Sequence, residues 1–198
     1  MKTTLNANQL AGRATGALFF TGFGALWIVL SLYARQMLSP RTIIGVLLGA
    51  TALVWNAVHL LQKAKRLSSV PEDPATGRAF MRINVIQWIA VAAVAFSFAR
   101  LHIDAYVMSA ITAIVGLHMF PLARLFKYPL HYGVGGVLVL WAAASAVLLP
   151  IAQIQGITAL GTGFILWLSA AVSLALAFQA VRRYASMGST GFRRAGAV

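Results

Sequence analysis

The side chains able to do chemistry within the apolar stretches of this sequence are few and uncharged: Asn56 and His59, Asn84 and Gln87, and His118. An amide or imidazole in such a run costs free energy unless it finds a partner, so these positions are the first place to look for a function. Neutral donors and acceptors suit a small polar solute, and imidazole adds a proton response near neutral pH. Two imidazoles at one depth, His59 and His118, would also suit bis-histidine ligation of a haem b. The sequence has no cysteine and only three carboxylates, Glu72, Asp73 and Asp104. Thiolate chemistry is therefore excluded, a metal-only site lacks ligands, and carboxylate-coupled transport lacks its mid-membrane acid. No Gly-rich phosphate-binding loop occurs. No catalytic residue, metal or resident cofactor is expected.

The elements that must carry these groups follow from composition. Of 198 residues, 60% are hydrophobic and 10% charged, with a mean hydropathy of +0.82, whereas about a quarter of an average soluble domain is charged. Crossing a bilayer takes roughly 20 apolar residues, and with no water to satisfy the backbone such runs are economical only as helices. The fold class expected is an all-α, polytopic integral membrane protein, a six-transmembrane-helix bundle. Its spans run Thr15–Ala34, Thr42–Gln62, Phe80–Ala99, Ile103–Ala123, Gly133–Pro150 and Ile157–Ala180, in a single transmembrane domain over residues 1–198. A tight uncharged turn over 151–156 joins the last two, and the basic stretch 182–198 reads as a flexible tail.

Charge sets the direction of threading. With Arg82, at the start of the third run, counted with the segment before it, the segments hold in turn two, two, five, one, two, none and four of the sixteen Lys and Arg residues, so alternate segments carry thirteen against three. Under the positive-inside rule both termini are cytoplasmic, N-in and C-in. The chain is expected in a cytoplasmic membrane of the bacterial inner-membrane kind. The formal charge of +13 then meets anionic lipid head groups at the cytoplasmic face; it flanks helices instead of forming a folded basic surface, so no nucleic acid is expected as a partner.

With that threading, and at 1.5 Å per residue, the five polar side chains lie roughly 5 to 12 Å below the cytoplasmic boundary. On span two, Gly45, Gly49, Ala52, Asn56 and His59 recur at spacings of three and four, a face expected to turn inward. The expectation is a polar pocket among spans two, three and four, rimmed by Arg82, Trp55 and Trp88. Asp104, near Arg100 and His102, is an external gate charge or a helix cap with a local ion pair. Gly45 and Gly49 form a small-xxx-small pair that serves either intramolecular packing or a homo-oligomer. Phe120 to Tyr132 interleaves aromatic and basic residues, as membrane interfaces and phosphate contacts both do.

The function this implies is a small-solute transporter or channel using Asn56, His59, Asn84, Gln87 and His118 for ligand binding or permeation. A membrane-embedded enzyme or binder of haem or a lipid-soluble cofactor through His59 and His118 is the alternative. A non-catalytic membrane assembly factor is the third reading; it requires the expected pocket to be closed by side-chain contacts.

Overall fold

The computed structural model describes residues 7–66 and 74–195, all helices and turns. The helices are α1 (Ala7–Ala34), α2 (Pro40–Lys65), α3 (Pro74–Arg100), α4 (Val107–Leu125), α5 (Leu130–Leu148) and α6 (Ile151–Ala195), with a 3₁₀ turn at Asp104–Tyr106 before α4. Each of the six is long and apolar enough to span a membrane, and no strand occurs among the described residues. Lys2, Pro71, Glu72 and Asp73 lie outside the described residues.

Proline places several helix starts. Pro40 is the first residue of α2, where its missing amide hydrogen costs nothing. Just ahead of it, the Ser39 hydroxyl accepts from the Thr42 amide while the Thr42 hydroxyl accepts from the Ser39 amide, a reciprocal cap. Pro74 opens α3 and Pro129 caps α5, so both belong to helix starts where the sequence suggested loops. The turn expected over 151–156 is shorter: α6 begins at Ile151, immediately after Pro150, and it continues past Arg182 to Ala195.

Three helices stop in the same way without glycine. Met37 donates to Leu32 and Gln36 to Tyr33; Ile103 donates to Phe98 and His102 to Ala99; Tyr128 donates to Ala123 and Lys127 to Arg124. These are Schellman ends, whose turning residue adopts positive φ. Gln36 and His102 have φ 55° and Lys127 has φ 49°.

The core is built on α6. Its most extensive partner is α1; α4 and α5 pack as a second pair, and α6 also touches α5, α4 and α2. Both pairs cross through glycines. A Cβ placed on Gly163 would sit 2.8 Å from the Gly24 carbonyl, and one on Gly116 would sit 2.8 Å from the Gly135 carbonyl. Lipid tails are as apolar as leucine, so close backbone approach and dispersion hold such helices together. Around the crossings lie Leu10, Ala14, Ala17, Leu138, Leu166 and Ala170, all buried. Outside this core, α2 rests on α1 and α6, and α3 rests on α4 and the 3₁₀ turn with none of its side chains buried.

Contacts at the two ends fix the alternation of the helices. At one end the Arg13 guanidinium lies 4.8 Å over the Tyr128 ring, Lys63 lies 5.5 Å over Phe178, and Phe80 meets Phe126 at 5.8 Å. At the other end the Ser31 hydroxyl donates to Gly156 and the Gln155 amide to the Asp104 carbonyl, both at 2.7 Å. The first is the basic end.

Candidate functional site

Of the polar residues expected to form one pocket, Asn56 and His59 stand on α2, which packs on α1 and α6, whereas Asn84 and Gln87 on α3 and His118 on α4 stand on two helices that pack together. Asn56 is exposed, and its amide donates 2.8 Å back to the Ala52 carbonyl. His59 is exposed, its ring 6.2 Å from that of Phe178 on α6. Asn84, half-buried, donates 2.9 Å to Phe80 of its own helix. Gln87 is half-buried on α3. The Nδ1 of His118 lies 2.7 Å from the Val115 carbonyl; a carbonyl only accepts, so Nδ1 carries the proton and Nε2 is left as the acceptor. Of the rim residues, Arg82 is exposed, Trp55 is 75% exposed, and Trp88 is 54% exposed with its ring 6.5 Å from Phe23 of α1.

The inward face of α2 differs from the one expected. Val46, Ala57, Leu60 and Ala64 are buried, whereas Gly45, Ala52, Asn56 and His59 are exposed. The true stripe runs one residue later, about 100° round the helix axis. Leu60, with Ala57 and Ala64 beside it, belongs to the hydrophobic core cluster. Gly49 alone of that set packs closely, under the indole of Trp167, while Gly45 has open space around it. His59 and His118 stand on helices that do not share a seam, since α2 rests on α1 and α6 and α4 on α5, α3 and α6. Asp104 is exposed and makes no ion pair among the described residues; Ile103 is the cap of the 3₁₀ turn, without a side-chain bond. The Asp104 backbone carbonyl accepts from the Val107 amide and from the Gln155 side chain.

Apart from His131, the buried polar side chains among the described residues are hydroxyls, which the composition of the spans did not single out. Ser109 lies 3.2 Å from Ser145 and 3.3 Å from Thr158, and Thr112 lies 2.9 Å from Thr162, linking α4 to α5 and α6. Each hydroxyl has one proton, so directions can be assigned. Thr162 donates to the Thr158 carbonyl at 2.8 Å and Ser145 to the Ala142 carbonyl at 3.0 Å. Thr112 must then donate to Thr162, Ser109 to Ser145, and Thr158 to Ser109. Every proton is used, and both chains end on backbone carbonyls. The Trp141 indole also donates to Thr158, and that of Trp167 to Thr21 on α1, each at 3.0 Å. The spacings Ser109-x-x-Thr112 and Thr158-x-x-x-Thr162 were the available signal, one helix face each.

Nearer the basic end, the Tyr128 hydroxyl lies 3.2 Å from that of Ser173. His131 is buried with its ring edge-on to Phe20 and Tyr128, at 5.7 and 5.1 Å, and its Nδ1 has no hydrogen-bond partner. No three His, Cys, Asp or Glu side chains converge among the described residues. Chemically, then, the interior joins helices through closed hydroxyl chains. Comparison with protein-family models, curated proteins and solved structures found no match for this chain.

Proposed function

We propose that this chain is an integral membrane protein, threaded with its basic end and both termini cytoplasmic, in a membrane of the bacterial inner-membrane kind. In it the chain acts as a non-catalytic assembly module. The packed core of α1, α4, α5 and α6 is a rigid frame, and α2 and α3 are carried on its flanks for lateral contact within the bilayer. The observation that carries this reading is that the hydroxyls joining α4, α5 and α6 are spent within the protein. Asn56, Asn84 and His118 bond to carbonyls of their own helices, and the hydroxyl chains close on themselves. A permeation path needs a succession of groups left over for a passing solute, and among the described residues one buried side-chain atom, His131 Nδ1, is without a partner.

The test is flux into liposomes containing the purified full chain, across small neutral and charged solutes and between about pH 5.5 and 8, where an imidazole changes charge. Flux equal to protein-free vesicles for every solute is the expected result. A solute-specific flux that His118→Ala or Asn84→Ala abolishes would overturn the reading and restore a transporter or channel built on those residues.

A further inference from the structure

The seam between α3 and α4 opens at the basic end into a groove of about 510 Å³, lined by Ile83, Phe120, Pro121, Arg124 and Leu125. We propose that this groove binds one anionic phospholipid, with acyl carbons along its floor and the headgroup phosphate on Arg124.

The floor is hydrocarbon. Ile83, Phe120, Pro121 and Leu125 offer no side-chain hydrogen-bond donor, so a bare phosphate would leave most of the groove unused, whereas a lipid tail would fill it. The rim is cationic. The 5.8 Å approach of Phe80 to Phe126 holds the first turns of α3 level with the last turn of α4. That brings exposed Arg78 and Arg82 to the height of exposed Arg124 and Lys127. A guanidinium matches phosphate with a fork of donors and is the side chain best suited to that headgroup.

Aromatic and basic residues are interleaved from Phe120 onward, and here they divide into a floor and a rim for one ligand.

The proposal rests on the chain being a membrane protein, but it holds whether or not the protein moves solutes. The test is native mass spectrometry of the full chain released from detergent after incubation with dioleoyl phosphatidylglycerol, dioleoyl phosphatidylcholine, or glycerol phosphate. The expected result is one retained phosphatidylglycerol, with phosphatidylcholine and glycerol phosphate lost. Arg124→Gln, an exposed site whose change leaves the core untouched, should lower retention about fivefold or more, the scale of one juxtamembrane cation. Lys63→Gln, on α2 and away from the groove, should leave it unchanged. Equal retention of the two phospholipids, retention of glycerol phosphate alone, or indifference to Arg124→Gln would each overturn the proposal. Flux in the liposome experiment would overturn the assembly reading and leave this one standing.

Discussion

Replacing Gly116 by alanine tests how tightly the frame is packed. The new Cβ would lie 2.8 Å from the Gly135 carbonyl oxygen, 2.8 Å from Val139 Cγ2 and 3.0 Å from the Val139 amide nitrogen. Two of those atoms are α5 backbone and cannot rotate away. A carbon approaches a carbonyl oxygen comfortably at about 3.3 to 3.6 Å, so α4 and α5 must separate by roughly half an ångström or more. A gap of that size forfeits about a quarter or more of each dispersion contact it opens. Overpacking of this kind costs about 1 to 3 kcal/mol, or about 2 to 12 °C in Tm for a chain of this length. Gly163→Ala should behave alike, because its Cβ meets the Gly24 carbonyl at 2.8 Å. Gly45 and Gly136 have no atom within 4 Å of an added Cβ, and there alanine should be neutral or stabilise by up to about 1 kcal/mol through helix propensity. The assay is thermal unfolding in one detergent, followed by tryptophan fluorescence. If Gly116→Ala and Gly136→Ala melt together, the crossing is looser than described and the reasoning fails.

Thr112→Val removes a donor to Thr162 and should destabilise by about 0.6 to 1.7 kcal/mol, the range for interhelical hydrogen bonds in membranes. Asn56→Ala, which loses only a bond to its own helix, should cost less; the reverse order in the same melts would place the main polar interaction on α2. Gln36→Gly relieves a left-handed residue and should stabilise by about 0.5 to 1 kcal/mol, and a destabilised variant would refute the Schellman end. Because the chain has no cysteine, single cysteines can report sidedness. Membrane-impermeant maleimide should reach Met37→Cys and Leu101→Cys from outside intact cells, and Arg66→Cys and Arg182→Cys only after lysis; any other pattern contradicts the proposed threading.

The six helices were legible because hydropathy and length are properties of each run by itself. Their ends were less so. Gln36, His102 and Lys127 close helices at positive φ without the glycine that usually marks such a stop, and Pro40 and Pro74, outside the expected spans, are the first residues of α2 and α3. Which face of α2 turned inward was misjudged by one residue, since spacing identifies a stripe but the neighbour's shape chooses among stripes; Leu60 won over Asn56. The buried hydroxyls were missed for a related reason. A serine or threonine in a span can bond its own helix, as Thr21 does to Ala17 at 2.7 Å, so residue type alone does not reveal one that reaches across, as Thr112 does. The indoles of Trp141 and Trp167 likewise reach across, to the Thr158 and Thr21 carbonyls.

The most direct test of a closed frame uses Thr112→Cys and Thr162→Cys, each at a site with no exposed surface, in sealed proteoliposomes treated with a small charged thiol reagent from either side. The account expects no modification until the protein is denatured, and complete modification afterwards. Rapid reaction at either position in the folded protein would mean that water reaches the middle of the bundle, and the assembly module would give way to a conducting one.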